Sequence, residues 1–142
     1  MVKPVVLVDS SVWIEWLSPQ ASEALKRTLQ ALLEAGRIVT TDMIRLEIIT
    51  GARSLQEFAM FQRDFDAIPC LEMTRREWRR AEVLSFALSR RGWRVAAPDL
   101  LIAVAALAHG VLLWHADNDF ERVKRVAADF RTWHYPKQSP DL

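Results

Sequence analysis

Val5-Val6-Leu7-Val8-Asp9-Ser10-Ser11 passes from an unbroken aliphatic run to an acid and two hydroxyls. A run without polar alternation reads as a strand covered on both faces, the pattern of a parallel sheet. Ser10-Ser11 opens a helix that reaches Leu17, and the same strand-to-helix change recurs along the chain. Residues 37–40 read as a second short strand, 67–71 as a third, 111–114 as a fourth and 130–133 as a last.

Helical stretches lie between them. Ser18 is the expected cap, and Pro19 the first turn, of a helix carrying Leu25, Leu29, Leu32 and Leu33, closed by Gly36. Thr41 or Asp42 caps the next, which ends at Gly51. Ser54-Leu55-Gln56-Glu57 and Thr74-Arg75-Arg76-Glu77 both have capping-box form. The first opens a helix with Phe58, Phe61 and Phe65, the second a long helix that stops before Gly92. Pro98-Asp99 starts a strongly apolar helix closed by Gly110, and residues 119–127 make another. Alternation from end to end, without internal repeats or low-complexity segments, predicts an α/β fold with helices flanking a parallel sheet.

Composition narrows the function classes. At 142 residues, with 51% hydrophobic and 26% charged, the chain suits one folded domain rather than a disordered segment. No apolar run approaches the ~20 residues that span a bilayer, and the N-terminal one is too short for a signal-peptide core. The single cysteine, Cys70, excludes an intramolecular disulfide and a multi-cysteine zinc site, and a cytoplasmic location is the expectation. The net charge is +1, but of 19 basic residues only Lys3, Lys26, Lys124 and Lys137 are lysines. Arginine suits phosphates and stacks on bases. Glu72, Glu77 and Glu82 among Arg75, Arg76, Arg79 and Arg80 read equally well as a salt-bridged surface.

Ligands of open α/β sheets bind just outside the carboxyl ends of the strands. Asp9 follows the first strand directly, and Glu47 lies one to two turns into the helix after the second. Asp99 is in the first turn of the apolar helix; Asp117 follows strand 111–114, with Asp119 two residues on. Each alone could cap a helix or face solvent. Together they put acids on one side of the sheet from separate connections. Glu47 and Asp99 stand among aliphatic neighbours with no lysine or arginine immediately beside them, so an external cation is the natural partner. Oxygen-only ligands select Mg²⁺ or Mn²⁺ over zinc. Such a site activates water for phosphodiester hydrolysis. Ser10 and Ser11 are placed to hydrogen-bond the carboxylates, though helix capping accounts for at least one of them equally well.

At these residues the sequence resembles the PIN-domain nucleases and, among them, is similar to the VapC-type toxins of toxin–antitoxin pairs. The resemblance rests on Val6-Leu7-Val8-Asp9-Ser10-Ser11-Val12-Trp13-Ile14, on Glu47 with Gly51, on Pro98-Asp99-Leu100-Leu101-Ile102-Ala103, and on Leu112-Leu113-Trp114-His115-Ala116-Asp117-Asn118-Asp119-Phe120. It implies a three-layer sandwich with a short, mostly parallel sheet of four to five strands; the length and the strand–helix alternation make this a single domain at 1–135, with a frayed tail expected at 136–142. It further implies a Mg²⁺- or Mn²⁺-dependent endoribonuclease that forms a homodimer and is held inactive by an antitoxin. Asp9, Glu47, Asp99 and Asp117 match the family's acidic quartet, with Asp9, Asp99 and Asp117 as metal ligands and Glu47 completing the cluster or orienting the attacking water. Asp119 matches a further acid of less settled role, and His115 stands where many members have Thr or Ser. Trp13 and Trp16, the leucine-rich helix and the Phe58/Phe61/Phe65 helix would suit a partner peptide, or ordinary packing. Other readings stay open here: a PIN-like nuclease acting on structured DNA or in RNA processing, and a non-catalytic binding module with a vestigial site. A receiver-type signalling domain would need a lysine after a strand, and none follows one.

Overall fold

The computed structural model describes residues 3–142. The elements, in chain order, are β1 (Val6–Val8), α1 (Ser10–Leu17), α2 (Glu23–Glu34), β2 (Ile38–Val39), α3 (Asp42–Thr50), α4 (Leu55–Asp66), α5 (Arg75–Ser89), α6 (Ala97–His109), β3 (Leu112–His115), α7 (Asn118–Lys124) and β4 (Thr132–His134). The four strands form one sheet in the order β2-β1-β3-β4, parallel throughout. Val6 pairs with Ile38 on one side, Val8 with Trp114 on the other, and His115 with His134 at the far edge. The chain leaves β1 toward β2 and returns across it to β3, so the order reverses between β1 and β3. A crevice opens at such a reversal, at the carboxyl ends of the strands.

Burial follows the sequence pattern. Val6, Leu7 and Val8 are wholly buried, as are Leu113 and His115. Helix α6, apolar all round, is buried from Leu100 to Ala106 and packs against α3, α5, α7 and β3. Each large aliphatic side chain buried there contributes about 1.5–3 kcal/mol of transfer free energy. Gly110 ends α6 at φ +63°, the left-handed position that a side chain resists, and its N–H closes the last turn.

Two sequence expectations are corrected. Ser22, not Ser18, caps α2, its Oγ accepting from the Leu25 N–H. Ser18 instead ends α1, and its hydroxyl accepts from the Gln20 N–H in the turn that Pro19 makes. The strand expected at 67–71 shrinks to one bridge between Thr40 and Cys70. Ala67 still caps α4 and Pro69 has no N–H to donate, so only the Pro69 carbonyl and the Leu71 N–H reach Thr40. The segment 136–142 has no helix or strand. Its Pro140 is buried, and the Asp141 carbonyl accepts from Nη1 of the buried Arg37 at 2.7 Å. Among the described residues no helix is long and apolar enough to cross a membrane.

Candidate active site

Asp9 caps α1 with one oxygen. Its Oδ2 accepts from the Ser11 N–H at 3.0 Å and the Ser11 hydroxyl at 2.5 Å. The other oxygen, Oδ1, is buried without a partner, on a residue only 4% exposed. The Asp9 N–H donates to the Trp114 carbonyl, which ties the acid to the end of β3. Ser11 Oγ also accepts from the Ala116 N–H at 2.9 Å, bridging the ends of β1 and β3. The Ser10 hydroxyl points the other way and donates to Glu47 Oε1 at 2.7 Å. Adjacent hydroxyls thus serve different carboxylates.

Glu47 corrects one premise of the sequence reading. Its helix is not buried all round, for Glu47 and Leu46 both face solvent. What holds Glu47 at the site is Ser10. Asp99, half-buried in the first turn of α6, is not a cap: the N-cap is Ala96 and no side chain makes the capping bond. Asp117 caps α7, with Oδ1 accepting from the Asp119 N–H at 3.0 Å.

Asp99, Asp117 and Asp119 each offer a carboxylate oxygen within 4.8 Å of the others. Asp119, expected as the less settled member, belongs to this triplet, and Asp9 does not. Asp9 and Glu47 flank it closely enough that their charges are felt at Asp99. Burial first, then Asp117, Asp9, Glu47 and Asp119, pushes the Asp99 carboxyl up to about 7. Burial likewise raises Asp9 to about 6, reinforced by Glu47 and opposed by the Ser11 hydrogen bonds. Among the described residues, the one ion pair that these five crowded acids make is between Asp119 Oδ1 and Arg122 Nη1, at 3.6 Å.

Behind Asp117 lies a group that the sequence reading marked only as standing where many members have Thr or Ser, and not as a site residue. His115 is wholly buried, and its Nδ1 accepts from the Asp117 N–H at 3.1 Å. Burial lowers this imidazole to about 4, with the neighbouring Glu121 pulling the other way and His134 adding to the fall, so the ring is neutral at ordinary pH. In the parallel register His115 faces His134, and that pairing would have exposed the cluster had the β4 register been known.

The matches to known proteins agree with this geometry. The PIN-domain family model matches residues 6–126. The chain belongs to the PIN-domain family. Ribonuclease VapC51 of Mycobacterium tuberculosis is 34% identical over 138 residues, covering 95% of this chain and 96% of the relative. Ribonuclease VapC11 of the same species is 32% identical over 133 residues, covering 89% and 99%. Among solved PIN-domain folds, DNA-bound VapBC from Salmonella typhimurium has a TM-score of 0.74 at 19% identity, covering 92% of this chain and 98% of that one. VapBC-5 from M. tuberculosis has a TM-score of 0.63 at 22% identity. These two likenesses are likenesses of fold.

Proposed function

We propose that this PIN-domain protein is an endoribonuclease, the toxin of a VapC-type toxin–antitoxin pair, cutting RNA with Mg²⁺ or Mn²⁺ held by its acids. The observation that carries the reading is the crowding of Asp9, Glu47, Asp99, Asp117 and Asp119 at the reversal of the strand order, with Asp9 Oδ1 buried and unpartnered. A buried oxygen without a donor, beside three converging carboxylates, fits a hard divalent ion. Asp99, Asp117 and Asp119 would hold it, with Asp9 as a further ligand directly or through water. When bound, the ion supplies a water of lowered pKa and neutralises charge at the scissile phosphate. Glu47, exposed and oriented by Ser10, accepts a proton from the attacking water, for in-line hydrolysis that leaves a 5′-phosphate and a 3′-hydroxyl. Ser11 holds Asp9 and the 115–117 turn in fixed relation.

RNA as substrate accords with the curated ribonucleases that the chain matches over nearly its full length. Arg90, Arg91 and Arg94 add exposed positive charge before α6, without an acidic partner among the described residues, and Arg91 lies over Trp93. An antitoxin would fit the apolar cleft of about 650 Å³ lined by Trp13, Trp16, Leu33, Met60, Phe61 and Phe65. A second copy would cover the exposed Trp78, Val83 and Phe86 of α5, giving a homodimer. The protein would act in the cytoplasm, where its substrate is.

Cleavage of total RNA with Mn²⁺ tests the reading, with new 5′ ends mapped and Asp99→Asn as control. Wild type should yield 5′-phosphate ends, and neither excess EDTA nor the variant should. RNA left intact by wild type with Mn²⁺, or cut at full rate by Asp99→Asn, would overturn it.

A further inference from the structure

The turn from β3 into α7 presents its N–H groups one after another to built acceptors. The Ala116 N–H goes to Ser11 Oγ, the Asp117 N–H to His115 Nδ1, and the Asp119 N–H to Asp117 Oδ1. Of these acceptors, only His115 is wholly buried. Its ring is held on several sides. It stacks on His134 with centroids 4.8 Å apart and planes 24° apart, and it tilts against Phe120 at 5.0 Å. Its Nε2 lies 3.4 Å from Glu121 Oε1, an oxygen that is also 3.5 Å from His134 Nδ1. Because Nδ1 accepts, the neutral ring carries its proton on Nε2, on the side of Glu121 but without a hydrogen bond to it. The ring can neither swing away nor exchange its two nitrogens without losing one of these contacts.

We infer that His115 is a positioning residue for the acid cluster: its Nδ1 fixes the backbone of Asp117, and so aims that carboxylate at Asp99 and Asp119. The inference rests on the reading of the cluster as a divalent-metal site, and it adds a residue to that site. Asp117 is then held at both ends, by His115 at its N–H and by the Asp119 N–H at Oδ1, while one of its carboxylate oxygens joins the triplet. Groups that orient metal ligands in this way typically change metal affinity or activity by roughly 10- to 100-fold when removed.

The test separates position from packing. In His115→Asn the amide oxygen sits on Cγ, where Nδ1 is attached; in His115→Gln the polar group extends to where Nε2 lies; His115→Phe fills the buried space and accepts nothing. Mn²⁺ affinity of each purified protein is measured by calorimetry, beside hydrogen exchange at the Asp117 amide without metal. The Asn variant should stay within about threefold of wild type and keep Asp117 protected. The Gln and Phe variants should lose about tenfold or more in Mn²⁺ affinity and expose that amide. A purely structural role gives the reverse order, with Phe best tolerated beside Phe120. Full Mn²⁺ affinity in the Phe variant, or equal losses in Asn and Gln, would overturn the inference. Wild type that binds no Mn²⁺ would instead sink the metal reading and the inference with it, a result distinct from binding that the Phe variant preserves.

Discussion

Replacing Asp9 by Asn removes a charge while keeping a helix cap, because an amide oxygen accepts the Ser11 N–H as the carboxylate does. The carboxyl is raised from 3.8 to about 6, chiefly by burial. A difference of that size makes the ionised acid about 3 kcal/mol less favourable in the fold than in the unfolded chain. Asp9 is 4% exposed, so little solvent screening reduces that figure. The sign follows from the direction. A raised folded value means that protonation favours the native state, fully below 3.8, and that this contribution disappears as pH rises through about 6. Metal-free wild type should therefore lose up to about 3 kcal/mol between about pH 4 and pH 7 that Asp9→Asn does not lose. Urea titrations in EDTA would show the variant more stable at about pH 8, by about 3 kcal/mol at most, with the two proteins converging toward about pH 4. Mn²⁺ should narrow that lead, since binding at a hundredfold excess over Kd adds ~2.7 kcal/mol to wild type and less to the variant. A variant less stable than wild type by the same margin at every pH would show that Asp9 serves only as a cap.

Ser10→Ala should leave the fold intact but slow RNA cleavage by roughly 10- to 100-fold, because Glu47 loses the hydroxyl that orients it; steady-state rates beside circular dichroism read this directly. Phe86→Glu should weaken self-association by about a hundredfold or more, since the side chain is 67% exposed in one copy and a symmetric interface would bury it twice. Sedimentation equilibrium over a concentration series measures the shift, and an unchanged dimer would place the interface elsewhere.

The parts of the fold legible in the sequence were those written in local chemistry. The Ser54 cap, the capping box at Thr74 and the αL glycine at 110 each specify a helix end through nearby backbone hydrogen bonds, and the aliphatic run before Asp9 specifies a buried strand. At Ser54 the expected box is only half made, since Glu57 accepts from the Arg53 N–H. What the sequence concealed depended on partners distant along the chain. Ser18 and Ser22 both have the chemistry of a cap, and the turn around Pro19 decides between them. Ile68 and Leu71 suit a strand, but among the described residues the segment's one bridge is that of Cys70 with Thr40. The same division holds at the site. Asp9, Asp99 and Asp117 could be read from their places after strands and at a helix start. The exposure of Glu47, its dependence on Ser10 and the link from His115 to Glu121 and His134 arise only from tertiary packing.

Asp9 and Asp99 stand at the ends of β1 and α6, among the most thoroughly covered elements of the molecule. Neither acid is on a flap that can open and close while the remainder stays intact. The free energy needed to displace them is therefore close to that of unfolding the domain, and the like-charge repulsion stored between them draws directly on global stability. On the function proposed above, the adaptation that brings a phosphodiester into line at these two acids would fall to the nucleic acid rather than to the protein.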